Sequence, residues 1–466
     1  MSSVRAGVYR SLLRELKKSS KAGKLPKPLC MHFRTLVEKT PEITPAFRAD
    51  VDNALLSLRS QREYKVLLDR YNPLFDLTAE ERIEATARRV GLNMPKKETR
   101  QAISAAADHL NALQTVVFPT ETVYGLGALA TNSLASSRIF STKGRPPDNP
   151  LIVHVSSSSM LQALLPPGYT LPPTYHTLIR RFWPGPLTLL FPRDPIKVPD
   201  IITAGQKTVA VRMPSHPVAR ALIALTGIPL AAPSANSSGK PSPTTAQHVV
   251  PDLGGKLGII LDGGPCDVGV ESTVVDGLGE DGHIRVLRPG GVTVEQIEEA
   301  LREEGGDHRV LVHKRDYTDE AMEAVPTTPG MKYRHYSPSV PVVLLQTRPP
   351  PNGVTAPSTT AYFDSLFRRR EHGPALKVGV LCLDDSPFGR QVRALQHPQI
   401  SVFSLGPANH LSVAARRLFD GLISLEQQQG VHFMLIEEME ERDEGLAVMN
   451  RVRKAASETE CIDTSK

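Results

Sequence analysis

From about residue 100 onward, short apolar runs alternate with segments of helical spacing. Strands this short satisfy their backbone hydrogen bonds only in a shared sheet, and the helices between them must cover its faces. The expected strands span 115–118, 151–155, 187–191, 208–211, 229–232, 258–261, 272–275 and 284–287, with helices at 101–113, 132–141, 216–226, 244–250 and 293–303. This reads as a mixed α/β domain ending near 303, followed by an irregular stretch over 304–340. A smaller set follows, with strands at 342–345, 378–381, 402–405 and 433–436 and helices at 411–427 and 444–456. It reads as an open α/β sheet with flanking helices, and the Pro- and Thr-rich residues 347–359 as a loop within it.

Residues 1–95 follow another pattern. Val8, Leu12, Leu13 and Leu16 recur at helical spacing, as do Phe47, Val51, Ala54, Leu55, Leu58, Tyr64, Leu67 and Leu68. Tyr71-Asn72-Pro73 stops that run, Thr78 opens another helix, and Gly91 and Pro95 end it. The charge is divided in the same way. Residues 1–100 carry 21 Lys+Arg against 12 Asp+Glu, which leaves 34 against 37 in residues 101–466. A basic helical segment can meet RNA, acidic lipid or an acidic protein, or simply present a solvated face. Glu15 is the only acid among the first thirty residues, a composition shared with mitochondrial presequences.

Two polar segments about ninety positions apart carry the chemistry: 141–150, running into Leu151-Ile152-Val153-His154, and 232–242. Lys143 and Arg145 flank Gly144; on extended backbone the two cations face one side and can grip adjacent phosphates, one as a point charge and one as a planar fork. A lone basic turn is more often a solvated surface. Ser234 and Asn236 follow an apolar strand and on extended backbone also share a side, able to hold a phosphate, a ribose or an amino acid, or merely to cap a loop. After Phe118, Thr120, Glu121 and Thr122 project at the sheet edge, with Gly125 and Gly127 allowing close backbone approach; a plain strand-to-helix turn would use the same residues as caps. His154 and Arg212 end strands, as do Glu271-Ser272-Thr273 and Arg288-Pro289-Gly290. His154 alone would pass for an interior histidine, whereas Arg212 can pair with a substrate carboxylate. The accumulation of such groups in one domain points to an enzyme handling ATP and a small polar substrate.

Other classes are disfavoured. Cys30, Cys266, Cys382 and Cys461 form no CxxC pair, so neither a zinc module nor a disulfide framework is indicated, and a reducing compartment suits them. No apolar run reaches the ~18 residues of a membrane span, and there is no secretory h-region. Aromatics at 5% are too sparse for base-stacking platforms. No Ser-His-Asp or Cys-His arrangement is present.

Five segments, in order, resemble the long form of the YrdC-type threonylcarbamoyl-AMP synthases: the stretch from Phe118 to Gly127, Lys143-Gly144-Arg145, Ser234-Ala235-Asn236, the stretch from Gly330 to Pro338, and that from Ala447 to Ala456. The resemblance implies an α/β fold with a central YrdC-type mixed domain over 100–303, a linker folding over the active site at 304–340, and a small Rossmann-like C-terminal domain over 341–466. It implies a nucleotidyltransferase that joins L-threonine, bicarbonate and ATP into threonylcarbamoyl-AMP and pyrophosphate, the first step of tRNA threonylcarbamoyladenosine formation. Lys143, Arg145, Ser234 and Asn236 would form the catalytic tetrad. Asn149, Ser242 and Arg288 would join them around ATP, with Thr208 and Tyr336 as weaker contacts. Thr122, His154, Arg212, Ala232 and Ser272 would hold threonine, Arg212 on its carboxylate. Magnesium is expected with ATP, although no carboxylate cluster marks its seat. A downstream threonylcarbamoyl-transferase complex would take the product, and tRNA is a further candidate contact.

Val8 to Leu16, Tyr64 to Pro73 and Ala87 to Leu92 resemble LYR-like mitochondrial ATP-synthase assembly factors. This implies a helical protein-binding module over 1–95, joining an all-helical bundle to the α/β domains, with an ATP-synthase assembly partner. The implied compartment is cytoplasmic, with the mitochondrion as a second site. Rival readings are an RNA-binding YrdC-type module, disfavoured by the acidic balance of residues 101–466, and an assembly adaptor with an inactive enzyme domain, disfavoured by the intact tetrad. The related hydrogenase-maturation carbamoyltransferases carry paired CxxC modules that this chain lacks.

Overall fold

The computed structural model of the chain describes residues 3–19, 27–39, 44–71, 97–305, 308–318, 335–347, 356–368 and 376–465. The chain divides into two compact units, 1–96 and 97–466. In the first, helices α1 (Ser3–Ser19), α2 (Lys27–Lys39) and α3 (Pro45–Tyr71) pack together through Leu12, Val37 and Val51. Glu15 is buried and faces Lys18 at 3.1 Å and Arg59 of α3 at 3.7 Å, so this acid works inside the bundle. The helix expected from Thr78 and its stops at Gly91 and Pro95 lie outside the described residues.

The second unit begins with α4 (Lys97–Asn111) and holds two sheets. The larger has ten strands: β1 (Val116–Phe118), β2 (Gly125–Leu129), β3 (Ile152–His154), β4 (Leu187–Pro192), β5 (Thr208–Arg212), β6 (Leu230–Ala231), β7 (Ile259–Ile260), β8 (Thr273–Asp276), β9 (Ile284–Arg288) and β10 (Val310–Val312). Their order is β10-β9-β8-β4-β5-β3-β6-β2-β1-β7, with parallel and antiparallel pairs mixed. Strands such as Val116-Val117-Phe118 are apolar throughout because both faces are covered.

Register collects the polar strand ends. β3 and β5 run parallel with His154 opposite Arg212. β8 and β9 pair antiparallel with Val274 opposite Arg288, and a single bridge joins Gly125 to Ser234.

The smaller sheet contains β11 (Val342–Gln346), β12 (Val378–Cys382), β13 (Ile400–Ser404), β14 (Phe433–Glu437) and β15 (Glu458–Cys461), all parallel in the order β13-β12-β14-β11-β15. It is open and flanked by helices, as expected. Its helices include α14 (Leu411–Gln427) and α15 (Glu444–Ala455), numbered by position among the described helices. One apolar cluster unites Val123 and Val270 beside the large sheet with Leu411, Ala415 and Phe419 of α14.

Three differences from the sequence reading matter. Gly125–Leu129 is a strand, so residues 119–124 turn between two antiparallel strands and not from a strand into a helix. Gly-Leu-Gly-Ala-Leu lacks β-branched residues and alternation, so propensity misses it. A Cβ on Gly127 would come within 2.6 Å of the Phe118 ring, which is why glycine stands there. The large sheet also runs on to Val312, past the boundary expected at 303. Finally, Glu458–Cys461 adds an edge strand whose polar residues gave no strand pattern.

Candidate active site

Helix α5 (Ser133–Lys143) starts where Asn132 caps the Ala135 N–H at 2.9 Å and ends at Gly144 in the left-handed region, φ 61°. Lys143 is therefore the last residue of a helix, which corrects the extended backbone expected for Lys143 and Arg145. The turn at Gly144 sends the two cations different ways. The Lys143 ammonium donates to the carbonyls of Ser234 and Asn236 and lies 3.4 Å from Asn236 Oδ1. It is buried, and burial first, then the nearby Arg145, pushes its pKa well below the ordinary lysine value. Arg145 donates through Nε to the Asn149 carbonyl at 3.2 Å and through Nη2 to the Pro150 carbonyl at 2.8 Å. Burial and the neighbouring Arg288 bring its pKa down to about 9.

Arg212 ends β5 inside a web of acceptors. Nη2 meets Glu121 Oε1 at 2.5 Å, Nη1 meets Thr122 Oγ1 at 2.9 Å, and Nε meets the Gly185 carbonyl at 3.2 Å. Burial raises the Glu121 carboxyl, but Arg212 and the Ser215 N–H outweigh it and hold the pKa below the usual range. Arg288 ends β9 and donates to the Ser272 carbonyl through Nε at 3.2 Å and Nη2 at 2.9 Å.

These strand ends line one pocket that is partly open to solvent. Of the residues singled out in the sequence, Thr122, Arg145, His154, Arg212, Ala232, Ser234, Ser272, Arg288 and Tyr336 line it. Lys143, Asn149, Thr208, Asn236 and Ser242 do not. Lys143 and Asn236 sit behind the wall, and the Asn236 amide donates to the carbonyls of Ser237 and Lys240, both at 2.9 Å. Ser234 thus lines the pocket and Asn236 does not, and the chain bends just after the bridge of Ser234 to Gly125. Ser242 donates to Glu271 Oε1 at 2.5 Å. Asn149 and Thr208 each keep a buried side-chain oxygen without a protein partner.

The lining also includes Val123, Ile152, Pro233, Glu271 and His335, to which the sequence reading gave no role. Glu271 was visible as a polar strand end, but nothing local says that an acid belongs among cations. Burial opposes its charge, yet Arg451 and Arg288 outweigh burial and keep the carboxyl below its ordinary pKa. His154 and His335 are both held near pKa 3, first by burial, then by Arg212 and Arg145 respectively. Tyr336 adopts a left-handed backbone, φ 64°, and its ring packs 5.3 Å from that of Phe419. Three guanidinium groups, two neutral imidazoles and several hydroxyls suit an anionic ligand with further polar groups.

Among the described residues no group of three or more His, Cys, Asp or Glu is placed to hold a metal. Both oxygens of Glu271, the one carboxylate in the described lining, are engaged by Ser242 and Arg451. The pocket's side chains do not by themselves fit a divalent cation. Among the described residues no helix is long and apolar enough to cross a membrane.

Three family models match the chain. That described as "Telomere recombination" matches residues 108–290, that described as "Threonylcarbamoyl-AMP synthase, C-terminal domain" matches 292–457, and that described as "Complex1_LYR-like" matches 6–93. The threonylcarbamoyl-AMP synthase of Schizosaccharomyces pombe is 44% identical over 392 residues, covering 78% of this chain and 91% of that protein. The Bacillus subtilis enzyme of the same name is 42% identical over 354 residues, covering 76% and 92%. Among solved structures, Pyrococcus abyssi Sua5 complexed with L-threonine is similar at TM-score 0.63 and 40% identity, covering 77% of this chain and 96% of that one.

Proposed function

The chain belongs to the threonylcarbamoyl-AMP synthase family, and from that premise we propose how its pocket works. L-Threonine and bicarbonate condense to a carbamate with loss of water. A carbamate oxygen then attacks the α-phosphorus of ATP, the bond to the β-phosphate breaks, and pyrophosphate leaves with its electron pair. Such a displacement needs alignment and charge neutralisation more than a protein nucleophile. One observation carries the reading: Arg145, Arg212 and Arg288 converge on a single pocket with Thr122, Ser234 and Ser272.

In this proposal Arg145, Ser234 and Arg288 hold the nucleotide, with Tyr336 beside it. Arg212, fixed by Glu121, takes the threonine carboxylate, and Thr122, Ala232 and Ser272 seat the rest of the amino acid. The L-threonine complex of the Pyrococcus abyssi relative supports an amino-acid subsite of this kind. His154 supplies a neutral hydrogen-bonding group, since its pKa near 3 leaves it uncharged in the working range. Lys143 and Asn236 act from behind, by fixing the loop that carries Ser234. Asn149, Thr208 and Ser242 would join as the nucleotide settles. Magnesium would arrive on the phosphates of ATP, held by those oxygens and water.

The product would pass to a threonylcarbamoyl-transferase acting on tRNA. The LYR-like segment would bind a mitochondrial assembly partner and place some of the protein in that compartment, with the rest cytoplasmic. The test is incubation with ATP, labelled bicarbonate and threonine. Threonine-dependent pyrophosphate release with a labelled adenylate is expected, and Arg145→Ala should abolish both. Label that never enters an adenylate would overturn the reading.

A further inference from the structure

The conspicuous stretch from Ala447 to Ala456 contributes nothing to the described pocket lining. Yet Arg451, on α15 of the C-terminal lobe, is fully buried, at 0% exposure. Its Nε donates to Glu271 Oε2 at 3.1 Å, and its Nη1 donates to the carbonyls of Pro289 and, at 3.2 Å, Ala447. The guanidinium carbon lies 5.7 Å from the centre of the Tyr336 ring. One side chain from the C-terminal lobe thus touches two pocket-lining residues and the neighbour of a third.

The strand ends it reaches are tied twice. Arg451 joins residue 271 to residue 289, and Arg288 joins residue 288 to residue 272 through the Ser272 carbonyl. One further contact from the same lobe reaches the same strip, which is itself bonded to the turn after β1. Arg416 Nε donates to the Asp267 carbonyl at 2.7 Å, and the backbone N–H groups of Val268 and Gly269 donate to the carbonyls of Glu121 at 2.8 Å and Thr122 at 3.1 Å. A carboxylate on the wall of a pocket for a polyanion repels its ligand unless its charge is matched, and a buried charge without a partner is strongly disfavoured. Arg451 matches the charge of Glu271 from behind the wall.

We infer that Arg451 is a positioning residue for the reaction: from the C-terminal lobe it neutralises Glu271 and clamps the Pro289 carbonyl, so that Ser272 and Arg288 keep their places beside the nucleotide and amino acid. The inference rests on the synthase reading above. It gives the C-terminal lobe a part in substrate binding.

The experiment compares the full chain with Arg451→Met, Arg451→Lys and Arg451→Met/Glu271→Gln. Threonine-dependent pyrophosphate release gives kcat and KM, and isothermal titration with a non-hydrolysable ATP analogue gives affinity. Arg451→Met is expected to lose about 100-fold in kcat/KM for ATP, chiefly through KM, as a wall displaced and left charged would do. The double variant, with neither charge, is expected to regain about tenfold of that loss through KM for ATP and affinity for the analogue, whereas a loss of folded protein would lower apparent kcat and leave both unchanged. Arg451→Lys keeps a charge for Glu271 but cannot also bridge to Pro289, and is expected to lie between. It is the measure if methionine at 451 prevents folding. A double variant no better than the single, or Arg451→Lys indistinguishable from wild type, overturns the inference. A wild-type chain without turnover would overturn the synthase reading alone, because the titrations still judge Arg451.

Discussion

Lys143 reaches across 91 and 93 positions of sequence to the carbonyls of Ser234 and Asn236, so a single buried ammonium group fastens the end of α5 to the loop after β6. Lys143, read in the sequence with Arg145 as a grip on phosphates, is not among the pocket-lining residues, and its ammonium group is engaged by these carbonyls. Ser234, whose carbonyl this pin holds, lines the pocket.

Replacing Lys143 by methionine leaves those carbonyls buried without a donor. Each unsatisfied group costs about 1–3 kcal/mol. Lys143→Met is expected to lower the unfolding midpoint and to reduce threonine-dependent pyrophosphate release by about 100-fold, as a displaced binding loop does. Wild-type turnover in a well-folded Lys143→Met protein would show that the pin is dispensable.

The Arg212–Glu121 pair is buried on both sides. Breaking such a pair by removing one partner costs about 3–5 kcal/mol. Arg212→Met should raise KM for threonine far more than KM for ATP. Glu121→Gln should show the same bias more weakly, because the arginine remains but is no longer held by a charge. Equal changes in both KM values would contradict the assignment of Arg212 to the amino acid.

His154 and His335 give the fold a defined acid sensitivity. Their folded pKa values of about 3 lie below the ordinary 6.5, so between these limits the unfolded chain binds protons that the folded chain does not. Stability is therefore complete above about pH 6.5 and falls as the pH drops toward 3. At pH 5 each histidine costs about 2 kcal/mol. Urea unfolding at pH 7.5 and pH 5 should show this difference shrink by about that amount in His154→Gln or His335→Gln. An unchanged difference would mean that the imidazoles are protonated in the fold.

Gly269 adopts φ 77°, and a Cβ there would come within 2.3 Å of the Arg416 backbone. Left-handed backbone costs an L-residue about 1–2 kcal/mol, and the clash adds to it. Gly269→Ala should lower the unfolding midpoint and disturb threonine binding, because the Gly269 N–H holds the Thr122 carbonyl. A midpoint equal to wild type would rule out the close approach of α14.

All described pocket residues lie within 97–466, which is a compact unit of its own. A chain beginning at residue 97 should therefore keep synthase activity within about twofold, as independent units do. Pyrophosphate release from the shortened protein checks this, and a large loss would assign the helical unit a part in catalysis.

The sequence by itself determined the alternation of strands and helices, the helical character of the first unit, and the kind of chemistry gathered at the strand ends. It did so because periodicity, caps and short apolar runs are local properties. Gly125–Leu129 and Glu458–Cys461 escaped because one strand is glycine-rich and the other polar, and both exist through pairing with distant strands. The divergence of Lys143 from Arg145 required the helix to continue to its glycine cap, and the roles of Glu271 and Arg451 required two residues 180 positions apart to meet. Only tertiary structure could decide these, since a buried charge is defined by what surrounds it and not by its neighbours in the chain.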